Sequence, residues 1–100
     1  MRVIAVPPLR AFWSRHADAE EPLRAWLADV QKAEWATPHD VKIDYGNASI
    51  LGNSRIVFNI KGNDYRLIVA VSYRAQIVLI KFVGTHAEYN RVDAETVELE

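Results

Sequence analysis

The chain has 100 residues, half of them hydrophobic, with no cysteine and a formal net charge of −1. This length predicts a single domain over residues 1–100 with one small core. The lack of cysteine excludes a disulfide scaffold and thiolate metal sites, and it favours a reducing cytoplasm. Pro7, Pro8 and Arg10 interrupt the N-terminal segment, which is not typical of a secretory signal. No apolar run approaches membrane-spanning length, so we expect no membrane contact.

The first half of the chain is predicted to be mainly helical. Residues 2–6 favour a short strand, and Pro7-Pro8 favours the start of a helix. Asp18 with Glu21 has the spacing of a capping box for a second helix. Thr37 is expected to cap a third helix that ends near Gly46, and residues 47–54 are expected to be a loop. Apolar residues at helical spacing give the buried faces of the first two helices: Leu9, Phe12, Trp13, His16, Leu23, Trp26, Leu27, Val30 and Ala33.

The second half changes to strands, predicted at residues 55–60, 65–73 and 77–83. Turns are predicted at residues 61–64 and 74–76, the first with Gly62 and Asn63 able to take positive φ. Gly84 is expected to end the last strand. Thr85 and Glu88 then favour a short helix through Arg91. The order predicts an α+β fold, with an N-terminal strand and helices packed on a small antiparallel sheet and a short C-terminal helix.

Two segments of this half carry a family resemblance. They contain Val57-Phe58-Asn59, Gly62-Asn63 and Tyr65-Arg66-Leu67 in the first, and Gly84-Thr85-His86 with Glu88-Tyr89 in the second. Together they resemble the HigB-type toxins of bacterial toxin–antitoxin pairs, within the RelE/ParE superfamily. The resemblance implies a RelE-like domain and ribosome-dependent cleavage of messenger RNA. It also implies a HigA-type antitoxin with a helix-turn-helix domain, so that DNA is contacted only through that partner.

Metal-free RNA cleavage uses the 2′-hydroxyl to attack the adjacent phosphorus, and it requires proton transfer and charge stabilisation. By this resemblance His86 is the candidate for proton transfer, because imidazole titrates near neutral pH. Arg66 is the candidate phosphate ligand, since its guanidinium stays charged and donates two parallel hydrogen bonds. Lys81 is a candidate second cation, and Tyr89 is expected to stack on a base or to assist proton transfer.

Further residues are assigned lesser roles. Asn59 and Asn63 are candidates for orienting the RNA, and Lys61 for touching its backbone. The three histidines, His16, His39 and His86, show no metal-ligand spacing, so neither a metal nor another cofactor is predicted. The three tryptophans are assigned to the core or to the antitoxin interface.

One departure from the family pattern leaves rival functions open. Members often carry an acidic residue after the tyrosine, where this chain has Asn90, which cannot accept a proton at neutral pH. One rival is a ParE-like toxin that acts on gyrase without cleaving RNA. The other is an inactive module that only binds the antitoxin.

Charge is unevenly distributed along the chain. Residues 54–91 hold six Lys/Arg and two Asp/Glu, for +4, whereas residues 92–100 hold four acids and no base, for −4. The basic segment favours a polyanionic partner. The acidic tail is either a solvated chain end or a cover over the basic face that weakens non-specific RNA binding.

Overall fold

The structure, a computed structural model, describes residues 1–99. Helices and strands combine in an α+β arrangement, which confirms the predicted class. In chain order the elements are β1 (Arg2–Ile4), α1 (Pro7–Arg15), α2 (Glu20–Lys32), α3 (Pro38–Asp44), β2 (Ser49–Ile50), β3 (Arg55–Ile60), β4 (Tyr65–Ser72), β5 (Ile77–Thr85) and α4 (His86–Tyr89). A turn of 3-10 helix at Ala17–Ala19 joins α1 to α2.

The strands form one sheet in the order β1-β5-β4-β3-β2, with β4 at its centre. The meander β3-β4-β5 is antiparallel, as predicted. β1 lies at one edge and runs parallel to β5, with Arg2 opposite Ile77. β2 forms the other edge, so the prediction of a loop over residues 47–54 is wrong at Ser49–Ile50. The chain folds back onto β3 there through a turn in which Asn53 and Ser54 take positive φ.

Helices α1 and α2 cover one face of the sheet and enclose the main core. Phe58 of β3 packs in this core, with its ring centroid 5.4 Å from that of Trp26 and 6.3 Å from that of Trp35. All three tryptophans are at most 8% exposed, which places them in the core. The helical residues buried there follow the predicted spacing: Leu9, Phe12, Trp13, Leu23, Trp26 and Val30.

The start of α2 differs from the prediction. Asp18 does not cap this helix, because the 3-10 turn delays the helix until Glu20. The Asp18 carboxylate instead accepts hydrogen bonds from the Lys61 ammonium and from the Tyr65 hydroxyl. It therefore ties the α1–α2 junction to the turn between β3 and β4.

The cap predicted at Thr37 and the capping box predicted at Thr85 both form, and each is a capping box in the structure. Thr37 with Asp40 begins α3, and Thr85 with Glu88 begins α4. The third helix ends with Asp44, close to the predicted end, whereas α4 is shorter than predicted and ends at Tyr89.

β5 continues through Gly84 to Thr85, where the sequence predicted the end of a strand. Gly84 pairs with Arg66 of β4. A Cβ at position 84 would lie 2.5 Å from the Phe82 ring and 3.2 Å from Cβ of Glu88. The missing side chain thus lets the Phe82 ring fold over the strand and lets α4 lie close against it.

The sheet face away from α1 and α2 is covered in part by the C-terminal tail, which we define as residues 92–99. Val57 and Ile68 form a second apolar cluster there with Ala94 of the tail. Partly buried side chains surround this cluster: Leu51, Phe82, Tyr89, Val92 and Val97. The tail is therefore packed on the sheet, which agrees with one of the two placements that its charge suggested.

Candidate active site

Arg66 lies on the central strand β4, on the tail-covered face. Strand residues two apart share a face, which puts Arg66 on the same side as Ile68 of the second cluster. One guanidinium nitrogen donates to the backbone carbonyl oxygens of Asn63 and Tyr65, at 3.0 and 3.4 Å. The guanidinium carbon lies 5.6 Å from the ring centroid of Tyr89, within the range of a cation–π contact.

The charge of Arg66 is not neutralised by a neighbour within residues 1–99. The ion pairs in this part of the chain do not include Arg66. Asp64, the nearest acidic residue along the chain, instead pairs with Lys61 at 3.4 Å. The guanidinium is therefore available to bind an anion.

Helix α4 presents His86 and Tyr89 beside Arg66. The two rings are three residues apart on one helical turn, and their centroids are 6.4 Å apart. The Glu88 side chain accepts a hydrogen bond from the Thr85 backbone N–H, and this bond lowers the pKa of the Glu88 carboxyl. The cap fixes the short helix that holds the Tyr89 ring next to both the imidazole and the guanidinium.

Asn90 contacts the ring of His86. Its Nδ2 lies 3.2 Å from Nδ1 of the imidazole, one helical turn back along the chain. An amide can donate to the neutral ring nitrogen and, after a flip, accept from the protonated one. Asn90 can therefore hold the imidazole in both protonation states, and Nε2 is left to exchange a proton with a ligand.

The two asparagines predicted to orient RNA lie next to Arg66. Asn59 of β3 is directly opposite Arg66 in the ladder, so the two side chains share a face. Asn63 is exposed in the β3–β4 turn, where its carbonyl oxygen accepts from Arg66. In this turn Lys61 and Gly62 take positive φ, whereas the sequence predicted Gly62 and Asn63.

Lys81 reaches the same face because β5 contains a bulge. Ile68 pairs with Phe82 but Val69 pairs with Ile80, so Lys81 is an extra residue without a partner on β4. The bulge leaves Ile80 in the helix-side core while Lys81 contacts the tail. The Lys81 ammonium binds the Glu98 carboxylate at 2.7 Å.

Lys61 does not lie with the residues around Arg66. It pairs with Asp18 at 2.7 Å, near the helix-side residue Tyr65. The hydrogen bond to Asp18 raises the pKa of the Lys61 ammonium and lowers that of the Asp18 carboxyl. Its predicted contact with RNA would require a surface separate from the one that holds Arg66.

Sequence reasoning missed Arg55. This side chain is only 3% exposed, and the tail lies over it. Its guanidinium donates to the carbonyl oxygen of Val97 at 2.6 Å and approaches Glu98 at 3.3 Å. Only the opposite charges of the two segments could have suggested this contact.

The structure thus places Arg66 opposite Asn59 on the tail-covered face, with the Tyr89 phenol beside its guanidinium. The His86 imidazole lies next to that phenol, and Asn63 lies in the adjoining turn. Among residues 1–99, no three His, Asp or Glu side chains are placed to hold a metal ion. No helix in the same range is long and apolar enough to cross a bilayer.

This arrangement of helices on a five-stranded sheet is consistent with the fold of small RelE-like toxins. The family model for the HigB toxin, described as a RelE-like toxic component of a toxin–antitoxin system, matches residues 19–92. The chain therefore belongs to the HigB toxin family, and as a toxin of such a system it has an antitoxin partner. A comparison with curated proteins gave no match.

Proposed function

We propose that the protein is an endoribonuclease that cleaves messenger RNA on the translating ribosome. The observation that carries the proposal is that the Tyr89 ring lies next to both the Arg66 guanidinium and the His86 imidazole. Tyr89 lies within 5.6 Å of the Arg66 guanidinium carbon and 6.4 Å of the His86 ring, measured from ring centroids. These are a phosphate ligand, a base-stacking ring and a proton-transfer group within reach of one phosphodiester.

The reaction follows from these groups. The RNA 2′-oxygen attacks the adjacent phosphorus, the bond to the 5′-oxygen breaks, and a 2′,3′-cyclic phosphate forms. Arg66 stabilises the negative charge that builds on the phosphoryl oxygens. Nε2 of His86 takes the proton from the 2′-hydroxyl and returns it to the departing 5′-oxygen, while Tyr89 stacks on a neighbouring base. No metal is used in these steps.

The open form of the site supports the need for a ribosome. His86 is exposed, and Arg66 and Tyr89 are half-buried on a surface rather than in a closed cleft. Such a surface orders a flexible RNA strand poorly. Messenger RNA in the ribosomal A site is already positioned, which removes much of the entropic cost of alignment.

The proposal extends to partners and location. A HigA-type antitoxin with a helix-turn-helix domain would neutralise the toxin by covering the site or by blocking its docking to the ribosome. DNA contact would then occur only through the antitoxin. Function on the ribosome places the protein in the cytoplasm.

The test is to map RNA ends after adding the purified chain to a translating extract. Arg66→Ala and His86→Ala are each expected to lower the cleavage rate by about 100-fold or more. Arg74→Ala and His39→Ala are matched controls, because both side chains are exposed and lie outside the candidate site. These controls should retain the rate of the wild type.

Other outcomes would replace the proposal. Equal cleavage by all four variants would remove Arg66 and His86 from the mechanism. Gyrase-dependent DNA breaks without RNA cleavage would assign the chain to ParE-like toxins. A chain that binds its antitoxin but affects neither RNA nor DNA would be an inactive binding module.

A further inference from the structure

Two cations on the tail-covered face converge on one carboxylate. The Lys81 ammonium lies 2.7 and 3.2 Å from the two oxygens of Glu98. A guanidinium nitrogen of Arg55 lies 3.3 Å from the oxygen that Lys81 approaches at 3.2 Å. Glu98 therefore receives three contacts from two positively charged side chains.

Arg55 is an unusual residue to bury. Removing a guanidinium from water is costly unless its donors find acceptors. Here Ala94 and Val97 supply carbonyl oxygens and Glu98 supplies a carboxylate, yet Nε of Arg55 has no partner within residues 1–99. The tail thus satisfies this cation incompletely.

The carboxylate remains charged, and it is the most exposed member of this group. Its hydrogen bond to Lys81 lowers the pKa of the Glu98 carboxyl. The Glu98 side chain is 58% exposed, whereas Lys81 is 21% exposed. Val92, Ala94 and Val97 anchor the tail by apolar contacts. Glu98 can therefore leave its two cations without detaching the rest of the tail.

The same sheet face carries Arg66. Arg55 and Asn59 are four residues apart on β3, so they point the same way with a separation of ~13 Å by strand rise. Asn59 is opposite Arg66, and the bulge in β5 places Lys81 near the rows between them. One strand of RNA that crosses this face over the anchored tail would pass both positions.

We propose that Arg55 and Lys81 form a second phosphate subsite, occupied by the Glu98 carboxylate until RNA replaces it. This inference rests on the proposed function, since it assigns the subsite to a phosphate that flanks the one cleaved at Arg66. A phosphodiester offers the same two-oxygen geometry as a carboxylate to the Lys81 and Arg55 donors. The tail then acts as a competitor for RNA built into the chain.

The test measures binding without cleavage or ribosomes. A fluorescent RNA oligonucleotide with 2′-O-methyl groups cannot be cleaved through its 2′-oxygen, and its affinity is read by anisotropy between about 50 and 200 mM salt. Glu98→Gln is expected to bind about threefold to fivefold more tightly, as an exposed ion pair is lost. The slope of log K against log salt should steepen by about 0.7 for one more phosphate contact.

Matched variants isolate the effect. Glu95→Gln removes the same charge from the same tail, and Glu95 makes no ion pair within residues 1–99, so it should change affinity by less than about twofold. Lys81→Ala added to Glu98→Gln should abolish the gain. Glu98→Ser repeats the test with another neutral side chain, and circular dichroism confirms that each variant is folded.

Equal affinities and equal salt slopes for Glu98→Gln and Glu95→Gln would overturn the subsite. A gain that survives Lys81→Ala would also overturn it. If no RNA cleavage is seen but the oligonucleotide results are as expected, the nuclease assignment is ruled out and the anion subsite stands. Normal cleavage without a difference between the two glutamine variants would support the nuclease and rule out the subsite.

Discussion

On the face of the sheet that α1 and α2 cover, Phe58 packs among tryptophans with 1% of its surface exposed. On the opposite face Arg55 is equally hidden, but carbonyl oxygens and one exposed carboxylate hold it. The apolar face can be opened only by unfolding. The polar face can exchange one anion for another, which is what an RNA-binding surface requires.

Phe58→Ala tests the apolar face. The substitution should lower the free energy of unfolding by about 3–5 kcal/mol, because it leaves a cavity among packed rings. Since domains of this size are only marginally stable, a large unfolded fraction at 37 °C is expected. Urea denaturation followed by tryptophan fluorescence measures this loss, and Ile43→Ala on the exposed surface is the control. A loss below about 1 kcal/mol would show that the helix-side core is loosely packed.

Arg55→Ala tests the polar face. It removes charged hydrogen bonds from the tail carbonyls, and we expect a loss of about 2 kcal/mol in the free energy of unfolding. Amide hydrogen exchange at Ala94 and Val97 should accelerate more than exchange in α2. Arg74→Ala, in an exposed turn, should leave the free energy of unfolding within about 0.5 kcal/mol of that of the wild type. Unchanged tail exchange would mean that apolar contacts alone hold the tail.

Thr85→Ala removes the cap of α4. We expect about 1 kcal/mol of destabilisation and a lower cleavage rate, because α4 positions His86 and Tyr89. Thr37→Ala removes the corresponding cap of α3, which contributes none of the candidate residues. It should cost similar stability with cleavage retained. Equal cleavage rates for Thr85→Ala and Thr37→Ala would show that activity does not depend on the order of α4.

Asn90→Asp tests the contact with the imidazole. A carboxylate in place of this amide, which lies 3.2 Å from Nδ1, favours the charged ring, so the pH midpoint of the His86 resonance in NMR should rise. The pH profile of cleavage should move in the same direction. Asn47→Asp in an exposed loop serves as the control. An unmoved midpoint would show that residue 90 does not touch the ring in solution.

Acidification should loosen the pairing of Glu98 with its cations. The pKa of this carboxyl is below its ordinary value of 4.5 in the folded chain. Its contribution to stability is therefore complete above about pH 4.5 and is lost as the pH falls through the lower folded value. Backbone resonances of Val97 should report this transition, and Glu98→Gln should remove it. Persistence of the transition in that variant would assign it to another carboxyl.

The meander and its short helix could be predicted because their signals are local. Short apolar runs bounded by turn residues define β3 and β4, and Thr85 with Glu88 defines the start of α4 within four positions. The grouping of Arg66, Asn59 and His86 came from a resemblance; the structure places Asn59 opposite Arg66, and it places Tyr89 next to both Arg66 and His86. Their chemical roles remain predictions that the cleavage assay tests.

The contacts that escaped sequence reasoning depend on distant partners. Arg55 finds its acceptors about forty residues later in the tail, and no local pattern encodes that distance. The bulge at Lys81 breaks the alternation that would have grouped Ile80 with Phe82. Gly84 looked like a strand end, but it pairs within the sheet, and the Phe82 ring folds over it in the space that a side chain would need. Asp18 has the spacing of a cap, but tertiary partners hold it instead.

The pairing of β1 with β5 has a consequence for the order of folding. Arg2 pairs with Ile77, so β1 can join the sheet only when β5, far along the chain, is in place. Local hairpins form faster than such distant contacts. In refolding, the meander is therefore expected to form before β1 joins the sheet.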